Sequence, residues 1–334
     1  MRIPQPYLLF LGDVTDPLAA KTAKGILHWR PQNCSGQFRL TPETVSLGLP
    51  DLSLEEAKQQ GAETLVIGTA NAGGMIPQAW LATLQEALEL GYNIASGMHQ
   101  RLSSFPAINH AANIRQCCLY DVRHVDQPLA IGTGIPRPGK RLLTVGTDCS
   151  VGKMYTSLAL EAEMNRQGLK TRFCATGQTG ILISGKGISV DAVVADFISG
   201  AAEAISPAFT DHDWDVIEGQ GSVLNPAFAG VSLGLLHGSQ PDALVLCHEV
   251  GRQHVRHVPH MNIPSIEATL QANLVAARLT NPAACFVGIA LNTAAMTEAE
   301  AMTLCQQWEQ DYQLPVTDPI RFGVASIVEK LHSI

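Results

Sequence analysis

Short apolar runs closed by Gly or Asn alternate along the chain with stretches whose apolar residues recur at helical spacing. In the first half, the run 7–11 is followed by the helical pattern 17–29, and the run 64–67, closed by Gly68, by the pattern 77–90, with a further run at 92–95. The pattern predicts strand, helix, strand. Pro17 and Pro77 suit a first helical turn, where the missing N–H would find no partner in any case. In the second half, apolar runs at 142–145, 171–175, 214–217, 243–247 and 286–291 are separated by helical patterns. Strands joined by crossover helices build a parallel sheet covered on both faces, and such sheets bind ligands at the carboxyl ends of their strands. Between residues 126 and 140 the chain is rich in Pro and Gly and has no periodicity, which places a domain boundary near residue 137.

Composition narrows the class of protein. With about 150 residues per domain, 334 residues give two domains, and 46% hydrophobic residues can bury two cores. The 22 Lys and Arg against 30 Asp and Glu leave a formal charge of -8, which argues against nucleic acid or an anionic membrane as partner. Only 16% of residues are charged, which points to buried helices and a homo-oligomer. Eight cysteines without a Cys-x-x-Cys pair give neither a zinc framework nor a disulfide scaffold and fit a reducing cytoplasm. There is no run of about 18 apolar residues, and the first apolar run lacks the charged flank of a signal region. The expectation is a soluble cytoplasmic enzyme.

The strongest chemical signal follows the run 142–145. Gly146-Thr147-Asp148-Cys149-Ser150-Val151-Gly152-Lys153-Met154 leads into a helical pattern at 155–166. In that context it is a Walker A-like loop: backbone N–H groups curl around a di- or triphosphate, the helix dipole faces the anion, and Lys153 adds a positive charge. Two departures matter. Five residues separate Gly146 and Gly152 where four are usual, and Met154 stands where a Ser or Thr would ligate Mg²⁺. A thioether cannot replace that hydroxyl on a hard cation. The loop is therefore expected to hold a pyrophosphate without requiring Mg²⁺, and to be impaired for metal-assisted phosphoryl transfer. Asn292, closing the run 286–291, stands where a side chain can read adenine. The fold class is α/β, with a Rossmann-like domain over 1–137 and a P-loop NTPase-like parallel-sheet domain over 138–334.

The loop resembles the long phosphate loop of dethiobiotin synthetase, and Glu218-Gly219-Gln220-Gly221 resembles that enzyme's acidic glycine-rich segment. A wider pattern adds Thr176-Gly177-Gln178-Thr179-Gly180, the segment from Asp191 to Gly200, Ser222 and His237-Gly238-Ser239. With these the chain is similar over nearly its whole length to a family long called a domain of unknown function, whose characterised member is D-glutamate N-acetyltransferase. Met after the lysine belongs to that pattern. The resemblance implies acetyl-coenzyme A as donor and the amine of D-glutamate as acceptor. Coenzyme A is a 3′-phospho-ADP with a long thiol arm, so a metal-free pyrophosphate cradle suits it. The residues alone leave two other classes open: an Mg-ATP-dependent ligase or kinase resembling dethiobiotin synthetase, and a non-catalytic nucleotide sensor whose front domain binds a partner protein.

Acetyl transfer to an amine needs a base for the ammonium proton, donors for the thioester oxygen and positive groups for the acceptor's carboxylates. Glu218, directly after the run 214–217, is the first candidate for base, since burial would raise its pKa toward neutrality. Its other uses are as a metal or water ligand or a helix cap. Asp191 and Asp196 are weaker candidates, because an Asp near a helix start is most often a cap. The N–H groups of Gln178, Thr179 and Gly180 offer a nest for an oxyanion or carboxylate, and Lys186 offers a carboxylate partner, although a solvated lysine is commoner. Cys247, His248, Glu249, Arg252, His254, Arg256, His257 and His260 invite a metal reading, but Pro259 and the His spacing argue against it, and no metal is expected. Arg252 and Arg256, at i and i+4, would share one helix face and clamp a dicarboxylate, subunit contacts being their other use. Cys149 would carry an acetyl group if the helix N-terminus and Lys153 lowered its pKa, though a small residue packed beneath the loop is the commoner case. The loops at 68–74 and 96–99 read as ordinary βα turns.

Overall fold

The computed structural model describes residues 2–334 apart from Asn71, Asp126, Gln127 and His257. It divides into two compact units, Met1–Asp126 with Gly177–Ala192, and Gln127–Thr176 with Val193–Ile334.

The first unit is built on β1 (Tyr7–Gly12), α1 (Lys21–Trp29), β2 (Cys34–Arg39), α2 (Leu54–Gln59), β3 (Thr64–Ile67), α3 (Leu81–Glu89), β4 (Asn93–Ser96), α4 (Pro106–Arg115) and β5 (Leu119–Asp121). Its strands are all parallel, in the order β2-β1-β3-β4-β5. Every residue of β1 and β3 is buried, as central strands of a sheet covered on both faces must be. The chain turns to one side from β1 to β2 and then crosses to β3, so the winding reverses between β1 and β3. This is the doubly wound architecture expected of a Rossmann-like half, in its flavodoxin-type order. The core gathers Leu8, Phe10, Leu65, Ile67, Leu84 and Ile94 around Trp80, whose ring meets Phe10 edge-on at 5.2 Å.

Two helices begin later than their prolines suggest. Asp16 accepts the N–H of Leu18 on its side chain and that of Ala19 on its carbonyl, which closes a turn around Pro17 and delays α1 to Lys21. After Pro77 a 3₁₀ turn, Gln78–Trp80, precedes α3.

Farther along come β6 (Lys140–Gly146), α5 (Lys153–Arg166), β7 (Thr171–Cys174), α6 (Gln178–Ser184), α7 (Ile198–Ile205), β8 (Trp214–Ile217), α8 (Ala229–Ser239) and β9 (Ala243–Glu249). A hairpin of β10 (His254–Val255) and β11 (Val258–Asn262) leads to α9 (Ile266–Ala277), β12 (Cys285–Asn292), α10 (Glu298–Tyr312), β13 (Val316–Thr317) and α11 (Ala325–Leu331). Of these, α6 belongs to the first unit, where the N–H of Ile3 donates to the carbonyl of Gly185 at 2.6 Å. The second unit's six-stranded sheet is parallel throughout, in the order β13-β12-β9-β6-β8-β7. β6 is central, so the loop that leaves it has the carboxyl ends of β8 and β9 on either side. Among the described residues no helix is long and apolar enough to cross a membrane.

At the opposite end of β6 lies a buried ionic network. Arg141, 1% exposed, donates through Nε to Ser206 Oγ at 2.7 Å, and Ser206 Oγ donates to Asp215 at 2.6 Å. Asp215, fully enclosed, also accepts from Arg172 at 2.8 and 2.7 Å and from His212 at 2.9 Å. Such charges are tolerated only when every lone pair is matched, and removal of one partner strands the other. Asp215→Ala is expected to destabilise the protein by about 3–5 kcal/mol. Arg166→Ala, which breaks the exposed pair with Glu163, is expected to lose far less, because solvent screens such a pair. Urea unfolding of the two variants tests the contrast, and equal losses would contradict it.

Candidate functional site

The loop after β6 is curled tightly by its own sequence. A Cβ on Gly146 would lie 2.8 Å from Val151 Cγ2 and 3.0 Å from Lys153 Nζ, and Gly152 turns through φ 104°. Ser150 adopts φ 57°, a left-handed conformation that costs a non-glycine residue about 1 kcal/mol or more. The Lys153 ammonium is enclosed and donates to the carbonyls of Asp148 and Gly221, each at 2.7 Å. Burial pushes its pKa below the ordinary lysine value. Surrounded by carbonyl dipoles, this cation is suited to receive an anion.

Asp148 is completely buried and accepts from Asn225 Nδ2 (2.8 Å), Arg252 Nη1 (3.0 Å) and the Arg256 N–H (2.6 Å). Burial works to raise its pKa, but hydrogen bonds from Arg256, Asn225, Cys149 and Arg252 outweigh it and hold the carboxyl below its usual range. Thr147 donates its N–H to the Cys247 carbonyl (3.1 Å), and its hydroxyl is hydrogen-bonded to His248 Nδ1 (3.0 Å). The His248 ring stacks on Trp308 at 5.7 Å, and burial lowers its pKa to about 4, so it is neutral near pH 7. For Cys149 the expected direction is reversed: burial pushes the thiol above its ordinary value, outweighing Lys153.

Glu218 leaves β8 beside this loop. Its Oε2 accepts the Thr176 N–H at 3.0 Å, and the Thr176 hydroxyl donates to the Glu218 carbonyl at 2.7 Å. Gly219 lies so close to β6 that a Cβ would stand 1.7 Å from the Thr144 carbonyl oxygen, while its N–H donates to Thr144 Oγ1 at 3.0 Å. Only glycine fits there. Because the next residue but one, Gly221, accepts from Lys153, the Glu218 turn and the phosphate loop are fixed to each other.

The remaining candidates are placed differently. Residues 252–260 do not form the helix that an arginine clamp requires. Gly251 turns at φ 85°, and Val255 pairs with Val258 in the antiparallel hairpin β10–β11, as β-branched residues and Pro259 favour. His257 lies outside the described residues. Arg252 runs to the loop, where Nη1 also donates to the Cys149 carbonyl at 2.6 Å and Nη2 pairs with Glu249. It braces the loop instead of facing solvent with Arg256, whose side chain is exposed. In the first unit, Asp191 accepts from Ser189 Oγ at 2.7 Å and pairs with Arg123 at 3.5 Å. Gln178, Thr179 and Gly180 form the first turn of α6, with Gln178 Oε1 accepting from Arg123 Nε at 2.8 Å. Lys186 is exposed, its backbone bridged to Arg2. Asp196 is exposed in the second unit. Within the second unit, the turn that carries Glu218 is hydrogen-bonded to the phosphate loop through Gly221 and Lys153. Among the described residues, no group of three or more His, Cys, Asp or Glu side chains is placed to hold a metal ion.

Next to the loop lies a cavity of about 370 Å³, lined by Gly152, Tyr155, Asn292, Asp318, Ile320 and Arg321 among others. Asn292 closes β12 and lines this cavity, and its Oδ1 accepts the Ala294 N–H at 3.2 Å, which orients the amide. The sequence reading missed Asp318 and Arg321. The signal for them was Asp318-Pro319, a turn-forming pair.

A family model described as a domain of unknown function, the DUF1611 P-loop domain, matches residues 130–328, and the corresponding Rossmann-like N-terminal domain matches residues 36–125. A relative from a Pseudoalteromonas species named D-glutamate N-acetyltransferase is 51% identical over 331 residues, 99% of this chain and 100% of the relative. Another of the same name, from Tritonibacter scottomollicae, is 48% identical over 332 residues with the same coverage. The crystal structure of a DUF1611 family protein from Anabaena variabilis matches with a TM-score of 0.84 at 31% identity, covering 99% of this chain and 100% of that one. The chain, with its Rossmann-like and P-loop domains in that order, belongs to the DUF1611 family.

Proposed function

We propose that this protein is an N-acetyltransferase that moves the acetyl group of acetyl-coenzyme A to the amine of D-glutamate, giving N-acetyl-D-glutamate and free coenzyme A. The observation that carries this reading is identity of 51% and 48%, over 99% of the chain, with two proteins of that name. The geometry supports it. Lys153 and the curled loop offer a cradle for the pyrophosphate, and the cavity beyond Gly152 has room for the adenosine. Met154 supplies no hydroxyl, and the Asp148 carboxylate is committed to Asn225, Arg252 and Arg256, so the handle needs no Mg²⁺. Eight free cysteines suit a reducing cytoplasm.

In the reaction the neutral amine attacks the thioester carbonyl. A C–N bond forms, the C–S bond breaks with its electron pair on sulfur, and the proton shed by nitrogen ends on the thiolate. Glu218, held at the carboxyl edge of the sheet by the Thr176 N–H, is the base that takes that proton first. Cys149 takes no part as an acyl carrier, since burial disfavours its thiolate.

Glu218→Gln is expected to lower kcat by about a hundredfold or more, with Asp191→Asn and Asp196→Asn losing far less; the reverse ranking would move the base elsewhere. Assayed with acetyl-coenzyme A and D-glutamate in EDTA, the enzyme should release free thiol at an undiminished rate. A strict Mg²⁺ requirement, or ADP and phosphate among the products, would favour the ligase or kinase reading. Mass spectrometry of enzyme mixed with donor alone should find Cys149 unmodified, and an acetylated Cys149 would replace direct transfer with a two-step route.

A further inference from the structure

Coenzyme A differs from other nucleoside diphosphate derivatives in the phosphate monoester on its ribose 3′ oxygen, which carries about two negative charges. A chain of formal charge -8 must set a cation against it. Among the described residues that line the nucleoside cavity, Arg321 is the cation besides the loop's own machinery. Its guanidinium is fixed from behind. Nη2 donates to the carbonyls of Met296 (2.8 Å) and Thr293 (3.3 Å), whereas Nη1 has no hydrogen-bond partner among the described residues. The side chain is 28% exposed, accessible to a ligand yet shielded enough for a charge-assisted bond to count.

Asp318 stands 4.0 Å from Arg321 Nε but does not compete for the ligand's place. Its Oδ2 accepts the N–H (3.0 Å) and hydroxyl (2.5 Å) of Thr293, and its Oδ1 the N–H groups of Ile320 (2.9 Å) and Arg321 (3.2 Å). A carboxylate has about four acceptor sites, and these are filled. Asp318 therefore shapes the turn that carries Arg321 and has nothing left with which to read the N–H edge of a guanine.

Resting on the donor reading above, we infer that Arg321 is a specificity residue that binds the ribose 3′-phosphate, so that the cavity selects 3′-phosphoadenosine nucleotides over those with an unphosphorylated ribose. Calorimetric titration with coenzyme A and with dephospho-coenzyme A, which lacks only that phosphate, tests this. The wild-type protein should bind coenzyme A about tenfold more tightly. Arg321→Gln should bring the two affinities together by weakening coenzyme A alone. Arg321→Met, which retains the bulk of the stem, gives the same reading should Arg321→Gln fail to fold. Equal affinities in the wild-type protein, or a preference that survives the substitution, would overturn the assignment while leaving the donor reading intact. If neither coenzyme binds the wild-type protein, the donor reading falls as well.

Discussion

The second unit is organised about one buried carboxylate. Asp148 has no solvent to share its charge, so its stability rests on Asn225, Arg252 and the Arg256 N–H arriving together from segments far apart in sequence. Those donors tie the phosphate loop to the turn before α8 and to the approach of the β10–β11 hairpin. The same residue's carbonyl receives the Lys153 ammonium. A loop with a strained Ser150 and an enclosed lysine keeps its shape because this carboxylate cannot be left unmatched.

From that fixed loop the division of labour in the site follows. On the proposed reading, the curled loop and the neighbouring cavity would bind parts of the donor that do not react, and such remote binding can hold a thioester in place for attack. Glu218 is positioned by backbone contact, since Gly219 abuts β6 and Gly221 receives Lys153. Glu218 and the phosphate loop are thus parts of one hydrogen-bonded turn-and-loop assembly within the second unit.

The central strands were legible in the sequence because they are short, largely apolar runs, and the phosphate loop because Gly-Lys after a strand has few other uses. The place of Glu218 was legible because it directly follows the run that forms β8. The edge strands β2 and β5 were not: they are largely half-exposed and lack an apolar run. The delayed start of α1 escaped notice because proline after Asp16 serves a turn as well as a helix. Arg252 was misread because spacing of i and i+4 has meaning only on a helix, and Gly251 with two valines makes a hairpin instead. Arg321 could not be found from spacing, because its place depends on a carboxylate satisfied by four donors in two different loops.

The His248 ring gives the loop a vulnerability to acid. An unfolded chain protonates this imidazole near pH 6.5, whereas the buried ring resists until about pH 4. Between those values only the unfolded state takes up the proton, so falling pH draws the equilibrium away from the native form, by up to about 3 kcal/mol once pH 4 is passed. Above pH 6.5 the effect vanishes. Since Nδ1 of the same ring is bonded to Thr147, the side chain whose protonation on the unfolded chain opposes folding is, in the native form, part of the support of the phosphate loop.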